Sequence, residues 1–419
     1  MTVNWVFDDV DQLLTMTACP HTLYGAQTEL IAGRFPMANL FHYFKNNWWN
    51  REDHQWRPCS LQDRPRRYAY NIGTWNDAGY WTGWPGNAQG FENFMLYVPD
   101  IVMFDARAGR ALLVIDNLNE GFYDTKLYGF LHDSCSVFLI PPRCICFLTG
   151  NELDPRGYAQ WCDANGVQDR ITVIGMPHLM YMQQLNLRNS AQLSWDDHLT
   201  TKTRSRSIAN YNCLNRVSRN HRELLVMNLI DRDLHTQAMV SHNELAYHAW
   251  TEHGVPQAVI DRAAAVLPLT VDDADFGNNK AMHINSDIYL NSWCSVITET
   301  HAFDEDHNLF ISEKLWKPMF ALQPFMVWGQ RGTLAQLRHW GYQTFSDLWD
   351  ESYDLMPDLQ RMHAVLDNIQ SLTFVKDKLG WLAQVREICE HNQAHFMRQD
   401  WFNSPYHSQF MAAYQGLNS

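Results

Sequence analysis

The chain reads as an α/β protein: two Rossmann-like domains, an aromatic-rich N-terminal region and a helical C-terminus. Two observations predict this. Continuous apolar runs of strand length, such as ALLVID at 111–116, CICFLTGN at 144–151 and PFMVWG at 324–329, alternate with helical stretches. That is the pattern of parallel strands covered on both faces. The alternation then lapses over a polar stretch at 186–206 and resumes beyond it. A first domain over 1–195 and a second over 205–355 follow from that break. The helical spacing of the tail sets off a segment over 356–419, expected to pack across the junction as such segments often do in this architecture. At 419 residues the chain is also too long for one ordinary core.

Taken in order, residues 1–100 are rich in aromatics, His and Asn, with turn signals at Asn71-Ile-Gly73 and Gly83-Trp-Pro-Gly86. They read as irregular, or as short elements capping a larger domain. The strand at 111–116 follows, then the polar turn NLNEGF and a helix through Tyr128. The strand at 144–151, a helix around 157–165 and the strand RITVIGM complete the first half. After the polar stretch, read as a linker, come SIANYNCLNR, a helix from about 220 to 233, the short strand AMVSHN and a helical region at 255–266. WCSVITET, a helix opening at Ser312, PFMVWG and the helix TLAQLRHWG finish the second domain. The tail from Met356 carries helical apolar spacing in MHAVLDNIQSLTFV and LGWLAQVREIC. In sheets of this kind ligands sit at the carboxyl ends of the strands.

Composition narrows the function. A hydrophobic content of 46% with 17 Trp and 21 Phe supplies a sizeable core. A net charge of −14 argues against a generally basic nucleic-acid binder. The nine cysteines are scattered and odd in number, without zinc-finger spacing, and read as reduced thiols. The start MTVNWVFDDVDQ lacks the form of a signal peptide, and no run of about eighteen apolar residues spans a membrane. A soluble cytoplasmic protein is the expectation.

The most informative stretch is FISEKLWKPMFALQPFMVWG, a loop, a short helix opening on Ser312-Glu313-Lys314, and an apolar strand. A Glu–Lys pair in a first helical turn can recognise two halves of a nucleotide-sugar. The carboxylate accepts from ribose or sugar hydroxyls, while the ammonium and helix N-terminus face the diphosphate. An ordinary amphipathic helix start is the competing account. Arg216, Arg219 and Arg222 fall within seven residues at a strand-to-helix junction and make a candidate diphosphate clamp. The competing account there is a solvated patch pairing with Glu223 and Asp231. Asp116 and Glu120 lie at and just after a strand end in VIDNLNEGFYD. Either suits a general base, with turn capping the alternative for Asp116.

Other clusters carry less. Asp304-Glu305-Asp306 with His301 and His307, and Asp272, Asp273 and Asp275, have the composition of metal-binding acidic motifs but also of solvated loops, and no metal is assigned. DRPRRYAY at 63–70 and FKNNWWNREDHQWRP upstream of it interleave basic and aromatic residues. Aromatics stack on sugars or unpaired bases, so the segment keeps a nucleic-acid acceptor in view beside a plain aromatic core. His235, His242 and His248 form no ligand set.

LNRVSRNHR, VITET, ISEKLWKP and PFMVWG occur in an order that resembles the donor domain of GT-B glycosyltransferases, specifically the α1,3-fucosyltransferase family and related phage and bacterial sugar transferases. The resemblance covers roughly 208–355. It implies Glu299 as the strand-end acid, Glu313 on ribose or donor sugar, Lys314 on the diphosphate, and Arg216 or Arg219 as the phosphate-binding arginine. Ser312 stands where the family has Thr, the loop from Glu299 to Glu313 is longer, and Pro318 is expected to break or kink the helix. The resemblance implies an inverting, metal-independent glycosyltransferase without a cofactor, using a nucleotide-sugar as co-substrate. The acceptor is a surface glycan or saccharide, or alternatively a hydroxymethylated pyrimidine in DNA, as in phage enzymes. A non-catalytic nucleotide- or carbohydrate-binding protein is the rival from another class.

Overall fold

The six apolar strands of the N-terminal half and the four of the C-terminal half form two separate, wholly parallel sheets. The computed structural model describes residues 3–7, 56–73, 98–118, 125–187, 190–205, 207–216, 218–247, 250–252, 254–271, 284–303 and 308–418. Two compact units result. The first comprises Met1–His178 with Asp400–Ser419, the second Leu179–Gln399.

In the first unit the strands are β1 (Val3–Phe7), β2 (Trp56–Ser60), β3 (Tyr68–Gly73), β4 (Ala111–Asn117), β5 (Ile145–Thr149) and β6 (Thr172–Gly175). Their spatial order is β2-β1-β3-β4-β5-β6. Residues 1–100, read as irregular or capping, therefore contribute three strands to the sheet itself. The strands are only five or six residues long, and β1 lies far from β2 and β3 in sequence, so no local period reveals them. β2 carries Pro58 and lies at the sheet edge, where a missing backbone donor is tolerated. Leu112, Leu113, Val114, Phe147 and Leu148 are fully buried, which explains why β4 and β5 read as continuous apolar runs. Helices α1 (Asp100–Arg107), α2 (Thr125–Phe138) and α3 (Asp154–Asn165) connect the strands, α3 ending at Gly166 with φ 66°.

The second unit contains α4 (His178–Leu187, its first residue still in the first unit), α5 (Trp195–Arg204), β7 (Asn212–Leu214), α6 (Asn220–Asp231), β8 (Met239–Ser241), α7 (Gln257–Val266), α8 (Ser286–Leu290) and β9 (Ser295–Thr298). It continues through α9 (Glu313–Phe320), β10 (Phe325–Trp328), α10 (Thr333–His339), α11 (Asp358–Thr373) and α12 (Lys378–Met397). Its strand order is β10-β9-β7-β8. α9 continues through Pro318 and ends two residues later at Phe320, so the proline does not break it at once. Trp316 on α9 is fully buried and stacks on Phe396 of α12 with centroids 6.0 Å apart.

Two expectations about organisation change. The polar stretch at 186–206 contains the helix α5. Ser194 and Asp197 form a reciprocal capping box at its start, and Trp195, His198 and Lys202 are its buried face. The tail at 356–419 is divided: α11 and α12 belong to the second unit, while α13 (Pro405–Gln415) belongs to the first and packs on β6. There Tyr414 donates its hydroxyl to the Arg67 carbonyl at 3.0 Å. Among the described residues no helix is long and apolar enough to cross a membrane.

Candidate functional site

In the second unit the chain passes from β7 to β8 on one side of the sheet, then returns to place β9 on the other side of β7. The carboxyl ends of β7 and β9 are thus the topological switch point, where an open parallel sheet leaves a crevice for ligand. The loop after β7 and the loop after β9 meet there. Thr298 closes β9 by donating to Asn215 Oδ1, just past β7, at 2.6 Å. Arg219 Nη1 donates to the Thr300 carbonyl at 2.8 Å, and His221 Nε2 to the Glu299 carbonyl at 2.9 Å.

Glu299 follows β9 and is fully buried. Its Oε2 accepts from the backbone N–H groups of Thr300 and Ser312, each at 3.1 Å. Oε1 has no hydrogen-bond partner among the described residues. Burial pushes this carboxyl up, with the nearby Lys314 charge opposing. Gly329, at the end of β10, approaches this carboxyl closely: a Cβ would lie 3.1 Å from Glu299 Cγ and 3.0 Å from Thr333 Oγ1, so those side chains would have to give way to any larger residue.

The α9 start is built around a single ammonium. Ser312 is the N-cap, accepting from the Lys314 backbone N–H at 3.4 Å. Lys314 Nζ lies 3.1 Å from Ser312 Oγ, 3.3 Å from Thr300 Oγ1 and 3.0 Å from Glu313 Oε1. Burial acts to raise the Glu313 pKa, but the charge and hydrogen bond of Lys314 outweigh it and hold the group at about 2. Glu313 is therefore an acceptor-only carboxylate across the physiological range.

Arg222 lies in the first turn of α6 and is buried. Burial, then the Arg219 charge, lowers it to about 10, with Glu313 and Glu299 acting in the opposite sense. Burial likewise lowers Lys317 to about 8 against the pull of Glu313. His221 and His301 are driven to about 3 and about 4, chiefly by burial and then by surrounding cations, so both are neutral at pH 7. Among the described residues cations outnumber carboxylates around this crevice, and two helix N-termini open onto it. The field suits an anionic ligand carrying hydroxyl donors.

Of the residues expected from sequence, Arg219, Arg222, Glu299, Ser312, Glu313 and Lys314 gather at the switch point, and Arg216 lies half-buried in the same loop. The 304–307 and 272–283 acidic clusters fall outside the described residues, as does Glu120. Asp116 is the penultimate residue of β4, at the carboxyl edge of the other sheet, paired in register with Gly73. Sequence reasoning missed His221 and the Thr298–Asn215 link, which only strand adjacency brings together. It also missed Arg361, a fully buried side chain from α11 that donates to the carbonyls of Gly329 at 2.9 Å and Ala302 at 2.7 Å. Glu223, expected as a surface partner of the arginines, is instead 1% exposed and bonded to backbone N–H groups.

No family model matches the chain, and no curated protein does. Among solved structures, it is similar to an alpha,alpha-trehalose-phosphate synthase (UDP-forming) from Burkholderia vietnamiensis, at 10% identity and a TM-score of 0.44, over 87% of this chain and 90% of that one. It is also similar to Os79 from O. sativa in complex with UDP, at 9% identity and a TM-score of 0.32, over 99% of this chain and 100% of that one.

Proposed function

We propose that the protein is a glycosyltransferase that moves a sugar from a nucleotide-sugar to an acceptor hydroxyl, with the donor held by the second unit. The observation that carries this reading is the convergence of Arg219, Arg222, Lys314 and two helix N-termini on the β7–β9 switch point beside an ionised Glu313. Arg219 and Lys314 meet the diphosphate, and Glu313 accepts from a ribose or sugar hydroxyl. As the acceptor oxygen bonds to the anomeric carbon, the bond from that carbon to the diphosphate oxygen breaks. The released charge falls on groups already in place, without a resident metal in the reading. The acceptor proton passes to a carboxylate, for which Glu120 and Asp116 are the candidates, and the configuration inverts.

The acidic balance of the chain favours a saccharide acceptor over DNA. Of the basic-aromatic segment that kept modified DNA in view, residues 44–55 lie outside the described residues, while in DRPRRYAY Tyr68 and Tyr70 are buried and Arg64 pairs with Asp105. The described part favours the plain aromatic core, and the DNA reading becomes one arm of the acceptor assay. A thermal-shift screen of nucleotide-sugars is the first experiment, since a ligand of the native state raises the melting temperature. A donor is expected to stabilise the wild type and to be hydrolysed slowly in water. Saccharides and hydroxymethylated DNA are then offered with that donor. Binding without hydrolysis or transfer would establish the non-catalytic rival, and no response to any donor overturns the reading. Full activity in both Glu120→Gln and Asp116→Asn removes the base assignment.

A further inference from the structure

Glu223 stands in the first turn of α6, beside the arginine loop, yet among the described residues none of its side-chain hydrogen bonds goes to an arginine. Its Oε1 accepts from Ser218 Oγ, from the Ala246 N–H at 2.8 Å and from the Tyr247 N–H at 3.3 Å. Its Oε2 accepts from the Tyr247 N–H at 3.3 Å and from Trp250 Nε1 at 2.8 Å. One buried carboxylate therefore ties the loop after β7 to the loop after β8. Tyr247 is oriented by an edge contact with the buried Trp250, centroids 4.8 Å apart.

A nucleoside diphosphate whose phosphates lie over β7 and β9 must extend its nucleoside toward β10 or toward β8. On the β10 side several described polar groups are already engaged with one another. Gln330 takes the Phe310 N–H at 2.8 Å, Asp354 takes the N–H groups of Leu334 and Ala335 at 2.9 Å, and Arg361 covers the Gly329 and Ala302 carbonyls. The β8 side instead presents the exposed Asn243 and Glu244 and the half-buried ring of Tyr247. An aromatic ring beside polar groups suits a planar base.

We propose that Glu223 is a positioning residue that fixes the 243–247 loop against the arginine loop, so that Tyr247 forms the wall for the nucleoside half of the donor. The inference rests on the nucleotide-sugar reading of the second unit and extends it to the base.

Calorimetry on the full chain tests it, with UDP, GDP and inorganic pyrophosphate as probes, each well below the melting temperature of the variant. The wild type is expected to bind one nucleoside diphosphate at least about tenfold more tightly than pyrophosphate. Tyr247→Ala and Glu223→Gln should each lose about tenfold in that nucleotide affinity while pyrophosphate affinity holds within about twofold. A general loss of fold lowers both ligands together, so the ratio separates positioning from structure. Tyr247→Ala decides the matter if Glu223→Gln does not fold. An unchanged nucleotide-to-pyrophosphate ratio in Tyr247→Ala overturns the nucleoside wall while leaving the donor site standing. Failure of the wild type to bind any of the three probes overturns both readings.

Discussion

His221 and Glu299 are joined across the switch point, the imidazole Nε2–H of one donating to the backbone carbonyl of the other at 2.9 Å. A carbonyl can only accept, so the ring nitrogen facing it carries the proton. The bond holds the first turn of α6 to the end of β9, and with it the arginine loop to the loop leading into α9. The edges of Phe303 and Trp328 close around the ring.

His221→Ala should therefore destabilise the protein by about 2 to 3 kcal/mol, from an unpaired buried carbonyl and a cavity. The same residue gives a pH signature. Its pKa falls from 6.5 to about 3 on folding, so the stability it contributes is full above 6.5 and is lost as pH falls toward 3. Urea unfolding of His221→Asn should show a flatter decline across that window than the wild type. An identical slope overturns the assignment of a neutral buried ring.

Lys314→Ala should weaken nucleotide binding by about tenfold while costing little stability, because the ammonium is partly exposed and the Ser312 cap remains. Calorimetry with the donor found by thermal shift measures it. Unchanged affinity removes the diphosphate role. The Glu313 carboxylate, without its ammonium partner, should also titrate higher than about 2.

Ser312→Ala probes the cap alone. It should cost about 1 kcal/mol of stability, read as a shift in urea midpoint. A larger loss of nucleotide affinity than of stability would show that the hydroxyl also orients Lys314, whose Nζ lies 3.1 Å away.

In the first unit, Asp154 is buried with Tyr128 donating to it at 2.6 Å. Burial raises its pKa from 3.8 to about 6. A raised carboxyl contributes stability below 3.8 that disappears as pH climbs through about 6. Asp154→Asn keeps an acceptor for Tyr128 and removes the charge, so it should be more stable than wild type at pH 7 by about 2 kcal/mol. Melting curves at pH 5 and pH 7.5 check it, the gain appearing at the higher pH.

How far the sequence reveals this protein depends on where each contact lies along the chain. β4, β5, β9 and β10 are buried on both faces and announce themselves as apolar runs. The gathering of Arg219, Glu299, Glu313 and Lys314 was legible because each stands at a strand end or helix start. α5 was not, since two of its buried positions are His198 and Lys202. There Lys202 Nζ meets the carbonyls of Tyr289 and Leu290 at 3.2 and 3.0 Å, and His198 the carbonyl of Ala321 at 2.7 Å. Polar letters with distant carbonyl partners look like a linker. Glu223 misled for the same reason: apart from Ser218, its partners lie more than twenty residues away, beyond any helical spacing.

The placement of α13 has a consequence for how the chain is made. In the first unit strand β1 starts at Val3, yet the helix lying on β6 is supplied by residues 405–415. During synthesis its six strands can pair while that flank of β6 stays bare, and some two hundred and twenty residues of the second unit must leave the ribosome first. A chain cut short before residue 405 would thus injure the first unit, whose strands are made earlier, while every helix and strand of the second unit would still be present.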